Sequence, residues 1–125
     1  MLNQNLSNQS FYNPNSKNLF NYFNKLQLFF DKGAILLDVR TIQEFGRCHL
    51  PNARHIDCDQ LSVLLAYVKG WEMPIITYSG YGGRSRLATQ LLQSTNIKTL
   101  DGGAKNTLEF LFFKKKDKVS SSLLT

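Results

Sequence analysis

Four short strand-like runs, mostly apolar and separated by helical patterns, constrain this chain more than any other feature. The runs are Ile35 to Val39, Arg54 to Asp57, Pro74 to Tyr78 and Ile97 to Leu100. Runs such as Ile35 to Val39 and Pro74 to Tyr78 suit strands buried on both faces, and strands that alternate with helices suit a parallel sheet. The fold class is therefore α/β, with helices covering both faces of the sheet in three layers. Ligands of such sheets bind beyond the carboxyl ends of the strands. That places Asp38-Val39-Arg40, Asp57-Cys58-Asp59 and the segment after Tyr78 on one rim.

The helical stretches carry their own punctuation. Leu19, Phe20, Phe23, Leu26, Phe29 and Phe30 recur at helical spacing, with Ser16 as the candidate cap and Gly33 as the stop. Thr41 and Glu44 have the spacing of a capping box. Asp59 is placed to cap a helix over Gln60 to Val68, with Leu61, Leu64, Leu65 and Val68 on one face. Further helices are expected over Arg84 to Ser94 and Lys105 to Phe113. At 125 residues the chain suits one domain. Residues 1–14, rich in asparagine and without apolar period, read as a flexible segment, residues 15–113 as the domain, and residues 114–125 as a basic tail.

Charge and cysteine usage exclude several classes. The net charge is +6, but Lys114, Lys115, Lys116 and Lys118 against Asp117 supply half of it at the end of the chain. A solvated end explains that better than a nucleic-acid surface, and no aromatic residues interleave with the basic ones in the manner of single-strand binders. Leu108 to Phe113 beside those lysines has the composition of a membrane-surface helix. The fold needs that helix for its core, so no membrane insertion is expected, and no apolar run approaches the roughly 18 residues of a span. Cys48 and Cys58 are too few for a disulfide framework and wrongly spaced for zinc. His55 has no evident ligand partners either, so no metal or cofactor is expected. The first residues have neither the basic start nor the apolar stretch of a secretory signal, and the expected location is the cytoplasm.

The chemistry concentrates in Ile75-Ile76-Thr77-Tyr78-Ser79-Gly80-Tyr81-Gly82-Gly83-Arg84-Ser85-Arg86. A buried strand runs through a three-glycine loop directly into a helix. Glycines allow successive backbone N–H groups to turn inward, and the helix start adds unpaired donors of its own. Such a concavity suits an anion or a negatively charged sulfur, and Arg84 and Arg86 place positive charge at its mouth. An ordinary strand-to-helix turn is the competing reading of this segment alone.

Two further segments join it in order. Asp38-Val39-Arg40-Thr41-Ile42-Gln43-Glu44-Phe45 is followed by His49-Leu50-Pro51-Asn52-Ala53, and Asp101-Gly102-Gly103 comes after the loop. The set resembles the rhodanese family, whose domains read D-V-R-x-x-x-E-[FY], then G-H-[IL]-P-G-A, then Y-C-x-x-G-x-R-S, then G-G-x-x-x-W. Each motif alone is weak and the ordered set is specific. The resemblance spans about residues 15 to 113. It implies a five-stranded parallel sheet between helices. It also implies sulfur transfer: a loop cysteine takes a sulfane sulfur from thiosulfate or a similar donor, holds it as a persulfide and passes it to a thiol or cyanide. By the same resemblance Arg40 pairs with Glu44, Asp38 holds backbone donors, His49 lies at the end away from the loop, and Cys48 lies with it.

The resemblance fails at one atom. Aligning Tyr78, Gly82, Arg84 and Ser85 with the family loop puts Ser79 where the cysteine belongs. Four residues separate Ser79 from Arg84, the sulfurtransferase spacing; the related cell-cycle phosphatases have one more. A thiol is already a few per cent thiolate at neutral pH, whereas a serine hydroxyl needs a general base and cannot form a sulfur–sulfur bond. The expected function is that of a catalytically impaired sulfurtransferase relative. Its loop of Gly80, Tyr81, Gly82, Gly83 and Arg84 takes a small sulfur-containing anion or an anionic partner group. The alternatives are an active sulfurtransferase, with the cysteine deliberately replaced or its role moved to Cys58, and a protein-binding module that uses the exposed Tyr81. Trp71 reads as packing, and Asn52 as a left-handed residue in place of the family's glycine.

Overall fold

The computed structural model describes residues 13–114. The Asn-rich start through residue 12 and the tail from residue 115 lie outside the described residues, and so do the expectations that fall on them. The elements are α1 (Asn13–Asp31), β1 (Ile35–Asp38), α2 (Ile42–Arg47), β2 (Arg54–His55), a 3-10 helix (Cys58–Leu64) running into α3 (Leu65–Lys69), β3 (Ile75–Ser79), α4 (Gly83–Ser94), β4 (Thr99–Ala104) and α5 (Lys105–Glu109). A wide π-helical turn, Phe110–Lys114, continues α5.

All strand pairings are parallel, in the order β2-β1-β3-β4. The described residues form four strands where the resemblance implied five. β1 and β3 sit in the middle, which is why their residues are almost wholly buried. Successive side chains on a strand point to opposite faces, so each central strand feeds two cores. Leu37, Val39, Ile56 and Ile75 meet Leu61, Val68, Ala88 and Leu92 on the face covered by the 3-10 helix, α3 and α4. Leu36, Ile76 and Tyr78 meet Leu26, Leu50 and Leu108 on the face covered by α1 and α5. Each fully buried aliphatic or aromatic side chain contributes roughly 1.5–3 kcal/mol by leaving water, so both helical layers are needed.

Local signals explain most element ends. Gly33, at φ 80°, closes α1, with its amide on Phe30 O at 3.0 Å and the Ala34 amide on Phe29 O at 2.9 Å. The capping box of Thr41 and Glu44 starts α2. Asn52 takes the left-handed conformation at φ 63°. Ser16 lies inside α1 and not at its start.

Other ends moved. Asp57, not Asp59, caps the segment after β2, accepting the Asp59 amide at 2.9 Å. That segment opens as a 3-10 helix, so Leu61 and Val68 are buried while Leu64 and Leu65 are only half so. In α1 the buried stripe is narrower than its apolar spacing: Leu26 is buried, but Leu19 and Phe20 are 67% and 66% exposed. A helix of 19 residues spans about 28 Å, longer than strands of four to six residues at about 3.3 Å each, so its first turns overhang the sheet.

β4 is the strand whose shape serves the rim. Thr77 pairs with Asp101 but Ser79 pairs with Ala104, so β4 carries one extra residue at this level. Gly102 makes that packing feasible: a Cβ there would sit 2.5 Å from Thr77 O and 2.8 Å from Ile76 Cγ2. The extra residue turns Gly103 towards Gly82 of the loop, whose own Cβ position lies 3.7 Å from Gly103 Cα.

Candidate functional site

The carboxyl ends of β1 and β3 and the start of α4 bring the loop residues together with Asp38, Arg40 and Glu44. Ser79 ends β3 and is fully buried. Its Oγ accepts the amides of Gly82 and Ser85, both at 3.1 Å. Gly82 has φ 99°, a conformation that glycine adopts at no steric cost, and it bends the chain from strand to helix. The Ser85 hydroxyl lies 2.7 Å from Asp101 Oδ1 and 3.0 Å from Gly82 O, and Asp101 Oδ1 also accepts the Gly103 amide at 2.8 Å. Asp101 therefore ties β4 to the loop through Ser85. Burial, then the Asp101 carboxylate, pushes the Tyr22 hydroxyl up to about 12, and that hydroxyl donates to Asp101 O at 2.9 Å.

Four loop amides are left over. Among the described residues, the N–H groups of Gly80, Tyr81, Gly83 and Arg84 find no protein acceptor. Gly83 and Arg84 open α4, where the first-turn donors have no partner inside the helix. Tyr81 projects from the loop at 98% exposure.

The charged residues pair differently from the expectation. Arg40 does not bind Glu44. It folds onto Asp38 two residues back, with Nη2 at 2.7 Å and Nε at 3.0 Å, and its own amide adds a bond at 2.9 Å. Asp38 is fully buried and Arg40 nearly so, and the hydrogen bonds to Asp38 raise the guanidinium's pKa further. Glu44 instead holds Arg84, Oε1 to Nη1 at 2.7 Å and Oε2 to Nη2 at 3.1 Å. Arg84, then the Thr41 amide, pulls the Glu44 carboxyl down to about 2. Arg84 thus adds a neutralised pair and not a free cation to the mouth. Arg86 is exposed on α4.

The remaining candidates fall outside the loop. Arg40 Nη2 donates to Cys48 O at 2.6 Å, so Cys48 lies against the carboxyl end of β1 and not at the opposite end. A guanidinium is long enough to reach back from β1, and that reach draws the α2–β2 connection towards the rim. His49 stacks on Phe45 at 3.8 Å with Nδ1 2.9 Å from Phe45 O, and His55 Nε2 lies 2.7 Å from Arg40 O. His55 thus holds the β1–α2 connection, and His49, packed on α2 through Phe45 beside His55, is not at the end away from the loop either. Cys58 borders the loop from the α4 side, its Sγ 3.7 Å from Arg84 O. Burial, then Asp59 and Asp57, pushes its thiol up, away from the thiolate. Trp71 packs on the core with Arg54 4.5 Å over its ring.

Sequence reasoning assigned no role to the Asp101 carboxylate, although Asp101-Gly102-Gly103 stood out as a motif. It also missed the Glu44–Arg84 pair, whose partners are 40 positions apart and share no local pattern.

With this geometry in place, the comparisons with known proteins are specific. Residues 23–109 match the rhodanese-like domain, and the chain belongs to that family. A human single-domain sulfurtransferase is 25% identical, with 69% of this chain and 91% of that one covered, at a TM-score of 0.52. A Helicobacter pylori protein solved by NMR is 22% identical over 68% of this chain and 78% of its own, at a TM-score of 0.56. A Staphylococcus saprophyticus protein shares 23% identity over 60% and 75%, at 0.53. The last two show the shared fold. No helix among the described residues is long and apolar enough to cross a membrane.

Proposed function

We propose that the loop from Ser79 to Arg84 is a sulfurtransferase-type anion cradle with serine at the nucleophile position. It binds a small sulfur-containing anion, or an anionic group on a partner, without transferring sulfur. The observation that carries this reading is the state of the Ser79 hydroxyl. Its oxygen already accepts two amides, so both lone pairs are engaged. Glu44, the carboxylate beside the loop, is held ionised by Arg84 and is too weak a base to deprotonate an alcohol. The persulfide step would need a thiolate to attack the outer sulfur of thiosulfate, form S–S and release sulfite. An oxygen there forms no S–S bond.

Cys58 is the one thiol adjacent to the loop, which keeps the relocated-thiol alternative specific. Its raised pKa opposes that alternative, because the thiolate is the reactive form. The four unpartnered amides support binding. The test is an amide chemical-shift titration of the full chain with sodium thiosulfate and sodium thiocyanate, with chloride holding ionic strength constant. Saturable shifts at Gly80, Tyr81, Gly83 and Arg84 are expected. Shifts that are absent, or scattered over the surface, overturn the cradle.

A further inference from the structure

β4 lies at one edge of the sheet, and among the described residues no strand pairs with its outer side. Within a strand the N–H and C=O of one residue point the same way, and the next residue points the other way. Lys98 O accepts the Ile75 amide at 2.9 Å, so Lys98 and Leu100 face β3 while Thr99 and Asp101 face outwards. Two side chains mark that direction. Gln93 Nε2 donates to Thr99 O at 3.0 Å, and the Tyr22 hydroxyl donates to Asp101 O at 2.9 Å. These caps, one from α4 and one from α1, stand where a neighbouring strand would. A carbonyl oxygen keeps a second lone pair, and the outward amides of Thr99 and Asp101 have no acceptor among the described residues. Between α1 and α4 the start of this edge floors an open groove of about 540 Å³. Lys25, Lys98, Phe29 and Leu100 line it, with Lys98 Nζ 5.8 Å from the centre of the Phe29 ring and both lysines exposed. No acidic residue lines it.

We propose that the outer edge of β4 docks an extended acidic segment of a partner protein as an added strand. The two outward amides stand about 6.6 Å apart, two residues at about 3.3 Å each. That spacing suits the carbonyls of another polypeptide and not a nucleic-acid backbone. Lys25 and Lys98 select acidic side chains, and Phe29 and Leu100 take an apolar one between them. The pattern is acid, apolar, acid at every second residue, since alternate side chains share a face. The chain's own ends do not match it: residues 1–12 contain no acid, and residues 115–125 contain Asp117 among Lys115, Lys116 and Lys118. Pairing with β4 of a second copy would add the same lysines. The groove borders the first residues of β4, at the end of the sheet away from the loop, so this surface is independent of the cradle.

The experiment titrates the full chain with the peptide acetyl-Glu-Thr-Val-Thr-Glu-amide and reads amide shifts and hydrogen exchange. The controls are the same peptide with lysine for glutamate and a fully N-methylated copy. Without peptide, the Thr99 and Asp101 amides are expected to exchange faster than the Leu100 amide. With the acidic peptide, saturable shifts are expected at Thr99, Leu100, Asp101 and Gln93, and exchange at Thr99 and Asp101 slows about tenfold at saturation. Neither control peptide produces them. Lys25→Glu with Lys98→Glu, both exposed positions, weakens the acidic peptide about tenfold and turns the preference towards the lysine peptide. No response, or an equal response to the control peptides, overturns the proposal and leaves the lysines as guards of a bare edge. Slow exchange at Thr99 and Asp101 in the peptide-free chain also overturns it, since the edge would already be covered. Sedimentation then tells a second copy from residues 1–12. Tighter binding of oligothymidylate at the same amides overturns it in favour of nucleic acid.

Discussion

Truncating Asp38 to alanine tests how the rim is held. Asp38 is fully buried, and its carboxylate takes the Arg40 guanidinium at 2.7 and 3.0 Å and the Arg40 amide at 2.9 Å. Arg40 is 6% exposed, so Asp38→Ala strands a buried cation. Removing one partner of a buried pair costs about 3–5 kcal/mol. Arg40 keeps the Cys48 carbonyl at 2.6 Å and lies 5.8 Å from the centre of the Tyr78 ring, which favours the lower end, about 3 kcal/mol. For a domain near 100 residues that corresponds to a fall in Tm of roughly 12–24 °C. The assay is urea unfolding followed by far-ultraviolet circular dichroism. Asp31→Ala is the internal control: Asp31 is exposed and accepts only Gln27 Nε2 at 3.1 Å on the same helix, and its loss should cost no more than about 0.5 kcal/mol. Replacing Asp38 and Arg40 together by leucine should recover most of the deficit, because no charge is then left unpaired. If Asp38→Ala is as mild as Asp31→Ala, the buried pair does not brace the rim.

Two further outcomes follow from the titrating groups. Glu44 has a carboxyl pKa lowered from 4.5 to about 2, so its pairing stabilises the fold fully above about pH 4.5 and is lost as pH falls through about 2. The pair is part-exposed, so the loss is about 1 kcal/mol at most; Glu44→Gln should flatten stability over that window, and an unchanged pH slope would contradict the assignment. Iodoacetamide at neutral pH should label exposed Cys48 well before Cys58, whose thiol is half-buried and pushed up by burial and Asp59. Equal rates by mass spectrometry would contradict that environment.

The layered parallel sheet was legible because its two central strands are apolar on both faces and alternate with helices, and a strand covered on both faces buries Leu36 and Leu37 together. Gly33, Asn52 and the Thr41–Glu44 box were legible because their chemistry is local. The choice of ion partners was not. Sequence spacing allowed Arg40 to meet Glu44, but β1 ends with Asp38 buried in reach of its own neighbour, and a buried carboxylate outcompetes a half-exposed one for a guanidinium. Glu44 was then left to an arginine from α4, a contact that only the parallel pairing of β1 and β3 creates. Asp57 displaced Asp59 as a cap because the chain leaves β2 in a tight 3-10 turn, which apolar periodicity does not distinguish from an α-helix. The extra residue in β4 was likewise silent. Asp-Gly-Gly signals a turn as readily as a bulge.

The central claim is that one atom separates this loop from sulfur transfer. Thiosulfate-to-cyanide transfer, measured side by side on the protein and its Ser79→Cys variant, tests it most directly. The account predicts background turnover for the protein, clear turnover for the variant, and no change in either on Cys58→Ala. Turnover by the protein itself that Cys58→Ala abolishes would contradict it, as would a Ser79→Cys variant that folds and stays inert.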